Sequence, residues 1–320
     1  MQYRILGKTG LKVSAVGFGG IPIQRIDARG TRALMERLVE KGVNYIDTAR
    51  GYTVSESYLG EALSGGLREK FILATKSMSR GYADMARDIG ISLSNLRTDY
   101  IDLYYLHRIN ETVRLEDVAI VMGRLVKEGL IRGWGLSQVS ADQIRAAHEI
   151  TPLSAVQNIY SMVERDCETE IFPVCLEKGI GVVPFSPIAS GFLSGKVTAQ
   201  EQFGFDDVRK FVPQLSKENI EANRPILDLL HRFAVEKNAT NAQISLAWML
   251  HKYPNVVPIP GSKNQERILE NLGAWNVTLS GDEFRQLQSA LDECKVHGHR
   301  GCVETEQTSF GKQWSEETAK

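Results

Sequence analysis

Tyr45-Ile46-Asp47-Thr48-Ala49-Arg50-Gly51-Tyr52 is the stretch from which the fold of this chain can be read. A short apolar run reads as a strand, and this one ends in a carboxylate with a phenol just beyond it. Two runs of the same kind follow, Phe71-Ile72-Leu73-Ala74-Thr75-Lys76 and Asp102-Leu103-Tyr104-Tyr105-Leu106-His107, and each also ends in a chemically active side chain. Between them the period changes. Arg32 to Gly42 sets Ala33, Leu34, Leu38 and Val39 on one stripe, and Asp84 to Arg97 does the same with Met85, Ile89 and Leu93. Strands separated by helices of roughly 10–15 residues indicate parallel βαβ units.

Outward from this centre the count of strands reaches eight. Val16-Gly17-Phe18-Gly19 precedes the run at Tyr45. Gly133 to Ser137, Ala155 to Tyr160, Gly181 to Ser186 and Val256 to Gly261 follow it, each after a helical pattern ending in Gly or after a Pro-marked turn. Four polar groups at three successive strand ends meet in one mouth only if the strands close on themselves. A (β/α)8 barrel is therefore the expected α/β architecture. Tyr3 to Leu6 and Leu11 to Ser14 flank Lys8-Thr9-Gly10 and predict a hairpin that plugs the amino-terminal end. One barrel over 1–293 accounts for the chain up to a polar tail, 294–320, expected to be poorly ordered. The irregular stretch from Glu201 to Glu218 is expected to form a loop over the mouth.

Composition narrows the function. Lys plus Arg number 38 and Asp plus Glu 39, so the net charge of −1 provides no basic field for nucleic acid or an anionic membrane. No apolar stretch reaches the roughly 18 residues that span a bilayer. Arg4 and Lys8 stand where a signal peptide would carry its apolar region, so a cytoplasmic location is expected. Cys167, Cys175, Cys294 and Cys302 form no Cys-x-x-Cys pair, and His297 and His299 between the last two make only a weak metal-like cluster, so no metal is expected.

Rival motifs fail on particular residues. Gly17-Phe-Gly19-Gly20 begins like a dinucleotide fingerprint but meets Pro22 where its last glycine belongs. Gly191-Phe-Leu-Ser-Gly195-Lys196 is one residue short of a phosphate-binding loop and runs on into Val197. There is no Gly-x-Ser-x-Gly elbow, and no tyrosine has a lysine four residues on.

The stretch Asp47 to Tyr52, with Ser55-Glu56 and Leu59-Gly60 after it, resembles the signature of the aldo-keto reductase superfamily, and Leu103 to His107 resembles its histidine strand. The likeness continues through Gly135-Leu136-Ser137, Gln157 to Ser161, Ser186-Pro187-Ile188, Ile259 to Lys263 and Glu270 to Gly273, covering roughly residues 3 to 293. It implies an NADPH-dependent oxidoreductase that reduces a small carbonyl substrate, with Tyr52 as general acid and Lys76, Asp47 and His107 around it. The chemistry of these residue types agrees. Hydride delivery to a carbonyl carbon leaves an alkoxide that needs an acid within hydrogen-bond reach. A free tyrosine, with pKa near 10, gives up its proton reluctantly, and an ammonium beside the phenol eases release. Asp47 would keep Lys76 charged, and His107 would orient the carbonyl. Singly, an Asp before Thr reads as a helix cap and a strand-end Tyr or Lys as packing or a solvated end. Their common order and strand placement favour a site.

Cofactor contacts follow from the resemblance and from position, since the loops after strands seven and eight of such barrels commonly hold phosphate. Ser262, Lys263 and Arg267 would grip a 2′-phosphate, which favours NADPH over NADH, with Glu270 and Asn271 near the adenine. Ser137, Gln138 and Gln157 would bond the carboxamide, and Phe185 would lie on the nicotinamide. Ser186, Ile188, Ser190, Gly191 and Leu193 would line the pyrophosphate path, and Gly20 and Ile21 complete the implied set. Gln138 stands where the family often has Asn, Phe185 where it has Tyr or Trp, and Asn110 where many relatives have Asp. Arg50 faces either the pocket, favouring anionic or oxygen-rich substrates, or solvent. An NADPH-sensing regulatory subunit with little turnover and a Schiff-base barrel using Lys76 are the alternative functions.

Overall fold

Strand register carries the architecture. The computed structural model describes residues 1–109, 113–204, 207–262 and 264–301. Strands β1 (Tyr3–Ile5) and β2 (Lys12–Ser14) form the antiparallel hairpin, with Tyr3 opposite Ser14 and Ile5 opposite Lys12. Seven parallel strands follow, each beside its neighbour in sequence: β3 (Phe18–Gly19), β4 (Tyr45–Asp47), β5 (Ile72–Ser77), β6 (Leu103–Leu106), β7 (Trp134–Ser137), β8 (Ala155–Gln157) and β9 (Gly181–Val182).

The eighth expected strand, 256–261, forms no regular ladder but still closes the sheet. On one side Val256 bridges Val182, and the Val257 and Ile259 N–H groups donate to the carbonyls of Val182 (2.8 Å) and Pro184 (3.2 Å). On the other, the Gly17 and Gly19 N–H groups donate to the carbonyls of Pro258 (2.9 Å) and Pro260 (3.3 Å). Proline supplies a carbonyl but no N–H, so this segment accepts toward β3 without donating back. Glycine makes the closure possible: a Cβ on Gly19 would lie 2.6 Å from the Ile259 carbonyl, and one on Gly261 would run into the Gly19 carbonyl. The result is a (β/α)8 barrel with an amino-terminal hairpin. Leu6 and Val13 of the hairpin region pack with Tyr45, Ala74, Leu103, Tyr105, Ala155, Val183, Val257 and Ile259 in the barrel interior.

Helix ends differ from the sequence reading by one to four residues. Ala28–Glu40 starts earlier than its apolar stripe because the Asp27 side chain caps it, accepting from the Gly30 N–H at 2.6 Å. Tyr82–Leu96 stops at Arg97, which turns into the left-handed region at φ 52°. At the strand entrances the buried Asp102 carboxylate accepts from Arg68 Nη2 (2.9 Å), the Leu73 N–H (2.9 Å) and Arg132 Nη1 (3.0 Å), which fixes β5 and β6 relative to each other.

By internal contacts the chain divides into two compact units. The first comprises Met1–Asn158, Glu168–Phe185 and Asn255–Leu269 and holds every strand; the second comprises Ile159–Cys167, Ser186–Pro254 and the chain from Glu270 onward. In the second unit Tyr160 stacks on Trp248 with centroids 5.9 Å apart, and the helix Asn241–Lys252 begins with a capping box between Thr240 and Gln243. The stretch 201–218 contains two short 3-10 turns, Val208–Phe211 and Pro213–Leu215. Asn223 brackets His297, donating to its carbonyl and accepting from its N–H, both at 2.8 Å, and the Gln214 N–H donates to the His299 carbonyl at 3.1 Å. The remainder of the expected tail, 302–320 with Cys302, lies outside the described residues. Among the described residues no helix is long and apolar enough to cross a membrane, and no group of three His, Cys, Asp or Glu side chains could hold a metal ion.

Candidate active site

Consecutive strand ends of the first unit present the four expected groups. Asp47 ends β4, Lys76 is the last residue but one of β5, His107 follows β6, and Tyr52 sits in the turn after β4. Backbone bonds hold that turn. The Arg50 N–H donates to the Lys76 carbonyl (2.8 Å), the Tyr52 N–H to Ala49 (3.0 Å), and the Ser55 N–H to Tyr52 (2.8 Å). Thr48 and Ser55 share a hydroxyl bond of 2.8 Å, Ser55 Oγ donates to the Gly20 carbonyl (3.1 Å), and the Gly20 N–H returns to the Asp47 carbonyl (2.7 Å). The expected contributor Gly20 is thus buried beneath the turn, while Ile21 beside it is exposed.

Lys76 and Asp47 form a buried ion pair, at 0 % and 2 % exposure. Lys76 Nζ donates to Asp47 Oδ1 and to the Thr48 carbonyl (2.7 Å), and Gln157 Nε2 donates to Asp47 Oδ2 (2.8 Å). Burial pushes the Asp47 carboxyl up from its ordinary range, opposed by the Lys76 charge and by hydrogen bonds from Lys76 and Gln157. Beneath the pair, the Tyr45 and Tyr105 hydroxyls lie 3.4 Å apart, and burial drives both phenols well above their usual values.

Tyr52 and His107 stand differently. Both are partly exposed, their rings meet edge to face with centroids 5.7 Å apart, and Lys76 Nζ lies 5.3 Å from the Tyr52 ring centroid. Neither side chain makes a hydrogen bond among the described residues, so the expected ammonium–phenol contact is one of proximity. Burial, with the charges of Lys76 and Arg108 adding to it, lowers the His107 pKa to about 3, and the imidazole is neutral near pH 7. Arg108, which the sequence reading missed, donates from Nη1 to the His107 carbonyl (2.9 Å) and to Ser137 Oγ (3.4 Å). Arg50 is half-buried, and its Nε is enclosed without a hydrogen-bond partner.

The three expected carboxamide residues are neighbours. Ser137 and Gln157 are register partners on β7 and β8, and the Gln138 N–H donates to the Gln157 carbonyl at 3.1 Å. Gln138 takes a left-handed φ of 59°, and its buried Oε1 accepts no hydrogen bond among the described residues. Asparagine enters this region more readily than glutamine, so the departure from the family pattern costs some backbone energy. Phe185 is half-buried against the barrel interior.

Ser262 Oγ accepts from the Asn264 N–H (3.1 Å), and Asn264 Oδ1 accepts from the Arg267 N–H (3.1 Å). Asn264, not Ser262, therefore serves the first turn of the helix Gln265–Leu272. The Arg267 side chain is exposed and has no ion pair among the described residues; Lys263 and Asn110 lie outside them. In the second unit Glu270 pairs with Lys196 at 2.8 Å, a partner the sequence did not reveal, and Asn271 is buried. Ser186, Ser190 and Gly191 all have positive φ, at 52°, 56° and 101°, Ile188 accepts from the Gly191 N–H (3.0 Å) and the Leu193 N–H (3.3 Å), and Leu193 is fully buried. Arg300 Nε donates to Ser186 Oγ at 3.0 Å.

The sequence profile of the Aldo/keto reductase family matches residues 15–292. The chain belongs to that family. The protein named "Probable aldo-keto reductase 1" from Glycine max is 36% identical over 316 residues, covering 92% of this chain and 90% of its own. Among solved structures, a thermostable aldo-keto reductase in complex with the inhibitor epalrestat superposes with a TM-score of 0.75 at 28% identity, covering 91% of this chain and 100% of its own. The glycerol dehydrogenase AKR11B4 from Gluconobacter oxydans matches the fold with a TM-score of 0.82 at 24% identity, over 91% of this chain and 95% of its own. Membership makes the protein an oxidoreductase of carbonyl chemistry with a nicotinamide cofactor.

Proposed function

We propose that this aldo-keto reductase reduces an aldehyde or ketone to the alcohol with NADPH, and that Tyr52 donates the proton. The observation that carries the reading is the buried Asp47–Lys76 pair beside a phenol whose hydroxyl makes no hydrogen bond among the described residues. When bound, the reduced nicotinamide supplies the hydride. Tyr52 then protonates the oxygen that becomes an alkoxide, and the nearby ammonium stabilises the phenolate left behind. Asp47 holds that ammonium in place through one oxygen. Neutral His107 offers one N–H to the carbonyl oxygen, which orients it without bringing a second positive charge.

The cofactor reading rests on residues that suit it. Gln138 Oε1 is a buried acceptor without a donor, as a carboxamide-binding residue should be before its ligand arrives. Ser137 and Gln157 are neighbouring strand-end residues beside it, and half-buried Phe185 would lie against the ring. Exposed Arg267, with Ser262 and Lys263 before it, suits a 2′-phosphate and favours NADPH over NADH. Glu270 and Asn271 at the adenine, Ser186 to Leu193 along the pyrophosphate, and Gly20 with Ile21 complete the proposed set. A cytoplasmic setting is part of the same proposal.

Steady-state oxidation of NADPH with 4-nitrobenzaldehyde tests the reading. Turnover should fall by roughly 100-fold or more in Tyr52→Phe while NADPH affinity stays within a few-fold. Tight NADPH binding with negligible turnover in the unmodified protein would favour a sensor, and retained reduction in Tyr52→Phe would remove the assigned acid.

A further inference from the structure

Asp47 has two carboxylate oxygens, and their partners differ. Oδ1 takes the Lys76 ammonium, whereas Oδ2 takes Gln157 Nε2 at 2.8 Å, and all three side chains are essentially buried, at 2 %, 0 % and 3 % exposure. A glutamine amide can ordinarily be turned end for end, exchanging donor for acceptor. Here it cannot, because a carboxylate accepts only, and Oε1 against Oδ2 would set two acceptors together in a dry site. Oε1 is left as the end of the amide free of any hydrogen bond among the described residues.

The neighbouring strand end adds two groups. Gln138 Oε1 is a second acceptor, buried and unpartnered. Ser137 Oγ accepts from Arg108, so its own hydrogen remains available to donate. One donor and two acceptors match a primary carboxamide, which has one oxygen to accept and two N–H bonds to give. We propose that Asp47 is a positioning residue for cofactor recognition as well as a partner of Lys76: it fixes the orientation of the Gln157 amide, and the site thereby requires the NH2 of the carboxamide. This rests on the nicotinamide reading above. The ion pair and the cofactor amide are then coupled through one side chain, so a change at Asp47 alters which cofactor analogues bind.

Equilibrium binding tests this without turnover, using quenching of tryptophan fluorescence by NADP+, its thionicotinamide analogue and its 3-acetylpyridine analogue. The thio compound keeps NH2; the acetylpyridine compound replaces it with methyl and leaves the acceptors unpaired. In the unmodified protein the thio analogue should bind within about fivefold of NADP+ and the acetylpyridine analogue roughly 10- to 100-fold more weakly. In Asp47→Asn the side chain can accept or donate, Gln157 is free to turn, and the acetylpyridine penalty should fall at least fivefold. Gln157→Leu should reduce it likewise, while Gln157→Glu, whose protonated carboxyl can donate to Asp47 and accept from the ligand, should keep it. Should Asp47→Asn fail to fold, the contrast between the Leu and Glu variants decides. Equal binding of the two analogues by the unmodified protein, or a penalty unchanged in Asp47→Asn, overturns the inference while leaving the reductase reading intact. Failure to bind NADP+ at all overturns both.

Discussion

Replacing Lys76 by methionine isolates the energetics of the site. The two side chains are similar in length and volume, so little cavity or strain is introduced at this fully buried position. What changes is charge: Asp47 keeps the Gln157 bond but loses its counter-ion. Removing one partner of a buried ion pair costs about 3–5 kcal/mol when the survivor stays charged. Asp47 can escape by taking a proton, and that makes the loss depend on pH. Burial already raises its pKa, and without the ammonium the rise is greater. In the unfolded chain it titrates near 3.9. Between that value and the raised folded value the folded variant binds more protons than the unfolded chain, so its stability is greatest below about pH 4 and declines as pH rises through the folded pKa. Relative to the unmodified protein, Lys76→Met should therefore be mild near pH 4.5 and approach the full cost near pH 8. Urea midpoints at both values, measured also for Asp47→Asn and the double variant, provide the check. The double variant should recover most of the loss at pH 8, since no buried charge remains. A loss under about 1 kcal/mol at pH 8, or a double variant no better than Lys76→Met, would refute the claim that these two charges stabilise each other.

Gly135→Ala should destabilise by about 1–3 kcal/mol in thermal or urea unfolding, because its Cβ would lie 2.5 Å from the Ala155 carbonyl and 2.5 Å from Tyr105 Cε1; an unchanged midpoint would show that Tyr105 yields easily. Lys263→Ala combined with Arg267→Ala should weaken NADPH far more than NADH in fluorescence titration, and equal weakening would contradict the 2′-phosphate assignment. With the His107 pKa lowered from 6.5 to about 3, its imidazole stays neutral from pH 5 to 9, and no break near 6.5 that disappears in His107→Gln should appear in the rate profile. The same depression means that the His107 contribution to stability is complete above about pH 6.5 and is lost as pH falls through 3, by roughly 1–2 kcal/mol at pH 5, a slope that His107→Gln should remove in urea unfolding.

The legible part of the fold came from periodicity. Runs of apolar residues ending in Asp47, Lys76 and His107 marked strand ends because a parallel strand buried on both faces has no polar position until it leaves the sheet. The segment 256–261 was counted as a strand for the same reason, and Pro258 and Pro260 explain why its hydrogen bonding is one-sided. Helix starts were missed by a turn where a single cap, Asp27, governs and the apolar stripe does not. Side chains paired across long sequence separations were not legible. Gln157 bonding Asp47, Glu270 pairing with Lys196 and Arg300 reaching Ser186 join residues 110, 74 and 114 positions apart, and no local pattern marks such partners. The likeness to a family gave the expectation that Gln157 meets the cofactor but was silent on which end of its amide would face the ligand.

Saturation of hydrogen bonds separates the four central groups by task. In the proposed reaction Asp47 and Lys76 hold position while charge develops nearby, and both are buried, with each Asp47 oxygen and the Lys76 ammonium engaged by named partners. In the same proposal Tyr52 and His107 exchange bonds with a substrate, and both reach the surface with no side-chain hydrogen bond among the described residues. Had the phenol been bonded to a carboxylate, releasing its proton to substrate would first require breaking that bond; had the ammonium been free, it would draw water or relax away from the phenol. A rigid, satisfied pair under an unsatisfied one places the reorganisation cost in folding, where barrel packing supplies the energy, and keeps it out of the reaction step. The arrangement also explains why the strand ends, and not the longer loops, carry these residues: Asp47, Lys76 and His107 are each within one residue of a laddered strand, and Tyr52 is tied to them through the Ala49, Lys76 and Gly20 carbonyls.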